Sequence, residues 1–365
     1  MSDENRIDSH KLMYHPGRVA QWHQAGDDWE KAKKVCPIYV EVSPTGSCNH
    51  RCEFCAMDYV GYKPRSLSMD IMEKVLPEMG QLGIKSIMFA GEGEPLLYTD
   101  INRLAKKTVE AGIDIAFTTN GVLLRQKTIE NLLPITAWIK VSIDAGTSKT
   151  YADIHNTKES DFNKVIKNLK NAVSYKKSNN SLCSIGAQIL LLPENFQEID
   201  TLARLCRDDI GLDYLVIKPY SQHMFSITRR YCSLNYELLS EQAIHATRLS
   251  NDNFEVIYRS EATNNHDSGQ NSFSECNAVP FFWAHIMANH DVYACSAFLQ
   301  DERFALGNLM QNSFREIWEG EKRKRLFKTM RTAFNVNECR INCRMSCINR
   351  YLWDFKFPHP HVNFI

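Results

Sequence analysis

The chain has 365 residues, 44% apolar and 24% charged, with Lys plus Arg and Asp plus Glu equal at 43 each. This is the composition of an ordinary globular protein with a sizeable core and room for two or three structural units. Zero net charge removes the electrostatic reason to expect a nucleic-acid or anionic-membrane partner, and the most apolar stretch, Ile185 to Leu192, is short and interrupted by Gln188.

The amino-terminal MSDENRIDSHK is polar and carries no export segment, so a cytoplasmic location is expected. Twelve cysteines in such a protein point to metal or redox chemistry rather than a disulfide framework. Residues 1–35, with Trp22 and Trp29 among polar neighbours, read as a helical lead-in. Cys36 stands before Pro37, outside any cysteine group.

From Ile38 strands and helices alternate. The predicted strands are 38–42, 86–90, 114–118, 138–143, 184–191 and 214–217. Ser68 and Asp100 are placed to cap helices that Gly83 and Gly112 end, and a further helix is predicted over about 161–176. Strands rich in Val, Ile and Phe between amphipathic segments argue for parallel βα units. Six of them suit an α/β fold, a partial (βα)6 TIM-like barrel, whose function gathers at the carboxyl ends of the strands. The cysteine loop, GEGEP at 91–95, TTNG at 118–121, SIDA at 142–145 and KPYSQH at 218–223 all fall at those ends. The polar stretch 251–274 reads as a linker or mobile loop.

Cys48, Cys52 and Cys55 form C-x3-C-x2-C, with no fourth cysteine nearby. A structural zinc site is closed by four ligands, whereas a cubane iron–sulfur cluster on three thiolates keeps one iron open. A zinc knuckle, or three buried cysteines, is the alternative reading. The spacing, with Phe54 before the last cysteine, resembles the radical S-adenosylmethionine (SAM) superfamily. The resemblance implies a 4Fe–4S cluster whose open iron chelates SAM. It also implies reductive cleavage of SAM to a 5′-deoxyadenosyl radical, and hydrogen abstraction from a substrate held in the barrel. Gly91, Gly93 and Glu94 resemble that family's GGEP segment, with Glu94 placed to accept from the methionine ammonium. Asn120 and Ser142 stand where the family contacts the ribose and carboxylate of SAM, and Phe54 where it packs on the adenine; turn formation, strand-end capping and core packing compete for the same residues.

A second cysteine group, Cys276, Cys295, Cys339, Cys343 and Cys347, with Gly307-Asn308-Leu309 and Trp318 between, is similar to the SPASM/Twitch extension of that superfamily. His290 stands where the extension has a glycine five positions before Cys295. A complete SPASM domain has more cysteines than these, so one auxiliary 4Fe–4S cluster is expected. The expected ligands are Cys276, Cys295, Cys339 and Cys343, with Cys347 spare or alternative; zinc would accept the same thiolates. The implied organisation is a lead-in at 1–35, a core barrel at 36–225, a linker at 226–275, and a small C-terminal iron–sulfur cluster-binding extension with its tail at 276–365.

Lys218, Tyr220, Gln222 and His223 form a polar group suited to a hydroxylated or charged substrate, or to a solvated loop. The leading expectation is a small-molecule substrate, a sugar, nucleotide sugar or aminocyclitol undergoing dehydrogenation, epimerisation or decarboxylation. A reducing partner such as flavodoxin or ferredoxin is expected, and no nucleic acid or membrane. A peptide or protein maturase is the alternative, and a non-catalytic zinc-binding protein the alternative of another class. The basic run 322–325 with Lys328 and Arg331 reads as a solvated helix face. Cys183, Cys206 and Cys232 read as buried small apolar groups, and the tail histidines His359 and His361 as packed.

Overall fold

Seven parallel strands, each entered from a helix or turn, form the body of a ten-stranded sheet in the order β10-β9-β8-β1-β2-β3-β4-β5-β6-β7. The computed structural model describes residues 6–232, 234, 236–260, 273–340 and 343–364. The first six strands are β1 Tyr39–Val42, β2 Ser86–Phe89, β3 Asp114–Thr119, β4 Trp138–Ser142, β5 Ser184–Leu191 and β6 Tyr214–Pro219. They are the six predicted strands, in the parallel sheet expected of a partial barrel. Strand periodicity sorts their residues into two faces. Val40, Val42, Ile87, Phe89, Ile139 and Val141 are buried in the main core under the helices. Alternate residues Tyr39, Met88, Ala90, Ala116 and Trp138 form a separate cluster on the lumen side.

The region expected to link the two parts does more than link. It contains a helix, Tyr236–Ala246, and β7 Glu255–Tyr258, which pairs parallel with β6 from Tyr214↔Glu255 to Ile217↔Tyr258. Residues 261–272 of the predicted loop lie outside the described residues.

The C-terminal part joins the same sheet. β8 Trp283–Ile286 pairs parallel with the free side of β1, and β9 Asp291–Tyr293 and β10 Ala305–Asn308 continue antiparallel. The helices of the lead-in, Pro16–Ala25 and Trp29–Ala32, bury Val19, Trp22, Ala25 and Ala32 against Phe281, Phe282, Phe327 and Leu352. First and last segments of the chain therefore share one apolar cluster.

Three surface expectations are corrected. Arg323 of the basic run is fully buried in the helix Glu321–Thr332. Its guanidinium donates to the carbonyls of Pro280 (2.8 Å), Trp318 (2.8 Å), Val35 (3.0 Å), Lys33 (3.2 Å) and Ala32 (3.3 Å), and stacks 4.1 Å from the Trp318 ring. Ala32 O also accepts from Val35 N–H (3.1 Å) and Val35 O from the Trp318 indole N–H (2.8 Å), so the cation adds to the bonds that close the end of the short helix Trp29–Ala32. Cys232 is exposed rather than buried, and His359 and His361 lie in an exposed tail.

Candidate active site and auxiliary cysteine cluster

The cysteine loop follows β1 and is held by its neighbours. Arg51 N–H and Glu53 N–H donate to the carbonyls of His155 (3.1 Å) and Ile154 (2.9 Å), at the end of the helix Ser148–His155. The Arg51 guanidinium donates to Cys48 O (2.7 Å) and lies 4.3 Å over the Tyr62 ring. Burial pushes the Cys48 thiol up to about 11, with Glu94 and Cys55 adding to it. Cys52 is pushed well above its ordinary value by burial and then by Cys55 and Cys48. Burial raises Cys55 as well. Three buried thiols, two of them raised further by their neighbours, are a donor set that needs a cation to become thiolates together, which the irons of a cluster would supply. The residues fit the group.

The GEGEP turn packs on the approach to that loop. Gly91 has φ +118, and a Cβ there would meet Ser43 Oγ at 1.7 Å; one on Gly93 would meet Ser47 O at 2.2 Å. The close approach expected towards a ligand is used here for packing against residues 43–47. Glu94 is buried. Its carboxylate accepts from Leu96 N–H (3.1 Å), Asn120 N–H (2.8 Å) and the Thr119 hydroxyl, tying the end of β2 to the end of β3. About one of its four acceptor directions stays open for an ammonium. Asn120 in turn donates to Asn49 Oδ1 in the cysteine loop (2.8 Å). Ser142 ends β4 on the lumen side, opposite Gln188.

Glu92 is also buried and reaches the C-terminal part. It pairs with Arg65 (2.7 Å) and accepts from Ala288 N–H (2.6 Å) in the β8–β9 turn.

Of the four polar residues at the end of β6, Lys218 is partly exposed on the lumen face of the strand and the other three have partners nearby. The Tyr220 hydroxyl donates to Gln222 Oε1 (3.1 Å), and Gln222 donates to Thr228 O (2.8 Å). His223 is buried and stacked on Tyr59 with ring centroids 5.1 Å apart. These three build the loop itself, which Asp58 fastens to the cysteine loop by accepting from Ser226, Ile227 and Thr228 at 2.8–2.9 Å.

Two histidines had no signal in the sequence. His50 and His155 are buried, and their ring nitrogens lie within 4.8 Å of Cys52 Sγ and of each other. His155 Nε2 meets Ile143 O at 3.0 Å and Nδ1 meets Cys52 Sγ at 3.1 Å. Burial, then His50, pushes His155 down to about 3, so its ring is neutral. A carbonyl only accepts, which places the hydrogen on Nε2 and leaves Nδ1 to accept from the thiol. Phe54 packs edge-on against His155, 5.3 Å between centroids.

In the C-terminal part Cys276, Cys295, Cys339 and Cys343 line one cavity with Phe298 and Asn349; Cys347 is not among its walls. Burial raises all four thiols, Cys276 up to about 11, and Cys343 raises Cys276, Cys295 and Cys339 further. Asn349 donates to Cys276 Sγ at 3.3 Å. His290 adopts φ +71, the left-handed conformation that explains a glycine at this place, and its Nε2 accepts from Ser68 N–H at 2.8 Å. Ser68 precedes the helix Met69–Gln81 but its hydroxyl does not make the cap expected of it.

Residues 42–206 match the Radical SAM superfamily model and residues 276–344 the SPASM iron–sulfur cluster-binding domain model. Among curated relatives, a GTP 3′,8-cyclase of Limosilactobacillus fermentum is 26% identical over 54% of this chain. The chain spans 59% of that relative's length. A tungsten-containing aldehyde ferredoxin oxidoreductase cofactor-modifying protein of Pyrococcus furiosus is 20% identical over 78% of this chain and 81% of its own. The fold is similar to Streptococcus suis SuiB bound to precursor peptide SuiA, with TM-score 0.65, 21% identity, and 91% of this chain and 75% of that one covered. It is also similar to anSMEcpe with bound AdoMet, with TM-score 0.57, 16% identity, and 88% and 97% covered. With both domains matched and the cysteines of each drawn together, the chain belongs to the radical SAM superfamily, its barrel carrying a C-terminal SPASM iron–sulfur cluster-binding domain.

Proposed function

We propose that this protein modifies a peptide or protein substrate by hydrogen-atom abstraction inside the barrel. The supporting observation is where the likeness extends. The similarity to SuiB and anSMEcpe, both solved with a bound peptide, runs through barrel and SPASM domain alike. The likeness to the first GTP 3′,8-cyclase covers only about half the chain. This reading replaces the sugar-like substrate expected from sequence, whose polar group at Tyr220, Gln222 and His223 is occupied with its own loop.

In this reading Cys48, Cys52 and Cys55 hold the SAM-binding cluster, and Cys276, Cys295, Cys339 and Cys343 the auxiliary one. The bound cofactors supply one-electron reduction and hydrogen-atom abstraction; the protein supplies position, burial and electrostatics. Gly91 and Gly93 bring the GEGEP turn against the cysteine loop. Glu94 fixes the TTNG turn and would offer its remaining acceptor site to the ammonium of SAM, and Asn120 and Ser142 would border its nucleoside. A small reducing protein of the flavodoxin or ferredoxin class delivers the electron.

The test is anaerobic incubation of reconstituted protein with SAM, dithionite and deuterated candidates, reading deuterium in 5′-deoxyadenosine. Deuterium from peptides and a mass change in the peptide are expected. Transfer only from sugars or nucleotides returns the reading to a small substrate, and intact SAM with every candidate overturns both.

A further inference from the structure

The lumen is not sealed like the helix face of the same strands. Thr118, Trp138, Lys140, Ser142, Leu190 and Lys218 stay accessible, while their neighbours Phe117, Ile139, Val141, Ile189, Leu191 and Ile217 are buried. Between β4 and β6 the residue level with Lys140 is Gly186, and the Tyr214 ring lies over it; a Cβ on Gly186 would meet that ring at 2.2 Å. Lys140 Nζ sits 5.8 Å from the Trp138 ring. Two lysines thus rise from an aromatic floor towards the mouth, Lys218 two repeats of the pleat higher, level with Leu190.

Four cations face this space: Lys140, Lys218, Arg259 after β7, and Arg344 from the C-terminal cysteine segment. The two arginines are neutralised, Arg344 by Glu41 and Arg259 by Asp8 at 3.3 Å. Asp144, fully buried behind the lumen, accepts from Leu190 N–H at 2.7 Å. Neither lysine has a hydrogen bond or ion pair among the described residues. The two ammonium groups share one recess, where Asp144 attracts both and Glu41 attracts Lys140 without either pairing with a lysine, and an oxyanion between them would offset the repulsion that is left.

We propose that Lys140 and Lys218 form a subsite for an oxyanion of the substrate. Resting on the peptide-modifying reading above, the group it takes is the carboxylate of an Asp or Glu side chain. The electrostatics agree. Burial, then Arg259 and Arg344, pushes Lys140 down to about 8, and burial, then Lys140, pushes Lys218 well below its ordinary value. A bound carboxylate reverses the Coulombic part of both shifts.

The probes are an acetylated, amidated alanine peptide with one central Glu, its Gln counterpart, and GTP. Each is titrated calorimetrically into the reconstituted holoenzyme with SAM at low ionic strength. The Glu peptide is expected to bind about tenfold tighter than the Gln peptide, with the preference lost in Lys140→Gln and in Lys218→Gln. Iron content and SAM affinity, measured alongside, identify variants that fold. Equal binding of the two peptides with no binding of GTP, or a preference that survives both substitutions, overturns the subsite. Loss of SAM affinity with the peptide preference intact also overturns it, by giving the lysines to the cosubstrate. Lysine-dependent binding of GTP with neither peptide bound keeps the oxyanion subsite and removes the peptide reading.

Discussion

Arg344, the residue after Cys343, pairs with Glu41 in the middle of β1 and lies 5.7 Å over the Trp283 ring on β8. A segment that ends in the auxiliary cysteine cavity is therefore anchored inside the barrel. Glu41→Gln strands the guanidinium, whose side chain is about half accessible to the lumen. A loss of about 1–3 kcal/mol in denaturant unfolding is expected. The same change makes the lumen more positive, so binding of the acidic probe peptide should tighten; weaker binding would show that Glu41 itself holds the substrate.

Iron analysis separates the cysteines. About eight irons per chain are expected after anaerobic reconstitution, falling to about four when Cys48, Cys52 and Cys55 are all replaced by Ala. Cys339→Ala should lose the auxiliary cluster, whereas Cys347→Ala, outside the cavity walls, should keep about eight irons. Zinc in place of iron at both sites would return the protein to the non-catalytic alternative.

Lys140 holds a charge at a cost to the fold. Its folded value near 8 lies below the unfolded value of about 10.4, so between these pH values the unfolded chain binds more protons and stability rises with pH. Below pH 8 the whole cost is present. Lys140→Met should therefore stabilise the protein by about 1–3 kcal/mol at pH 7. The gain should fade above pH 8, as read from unfolding curves across that range.

Arg323 satisfies five carbonyls and no carboxylate. Arg323→Met keeps the volume but leaves buried acceptors unmet, and about 3–5 kcal/mol of stability should be lost. The lead-in should loosen first, seen as faster amide exchange in residues 29–35.

His290 sets a strained backbone against a hydrogen bond. His290→Gly relieves the left-handed conformation and loses the bond to Ser68 N–H, for a net change within about 0.5 kcal/mol. His290→Ala keeps the strain and loses the bond, and should cost about 1–2 kcal/mol. Equal stability of the two variants would show that the backbone at 290 is not under strain.

The barrel was legible because each of its first six strands is a short Val-, Ile- or Phe-rich run between helix-length amphipathic segments. β7 was hidden because Glu255-Val256-Ile257-Tyr258 is brief and bordered by Asn and Asp. No sequence signal pairs β8 with β1, since the partners stand far apart in the chain and the facing pair Glu41 and His285 is not marked in either segment. The two cysteine groups could be read from spacing alone, whereas His155 is an isolated histidine in a helix that only the tertiary fold brings to Cys52. Arg323 was concealed by Lys322, Lys324 and Arg325, which share its charge but not its side of the helix.

With β8 seated along β1, the iron–sulfur extension forms part of the barrel wall instead of hanging from it. A chain stopped short of Trp283 would leave β1 with an open row of N–H and C=O groups, ready to recruit a strand from another molecule. Grafting a SPASM domain from a relative onto this barrel would thus exchange a strand partner as well as a set of cysteines, and the graft would have to match the register Tyr39↔Trp283 before it could hold metal.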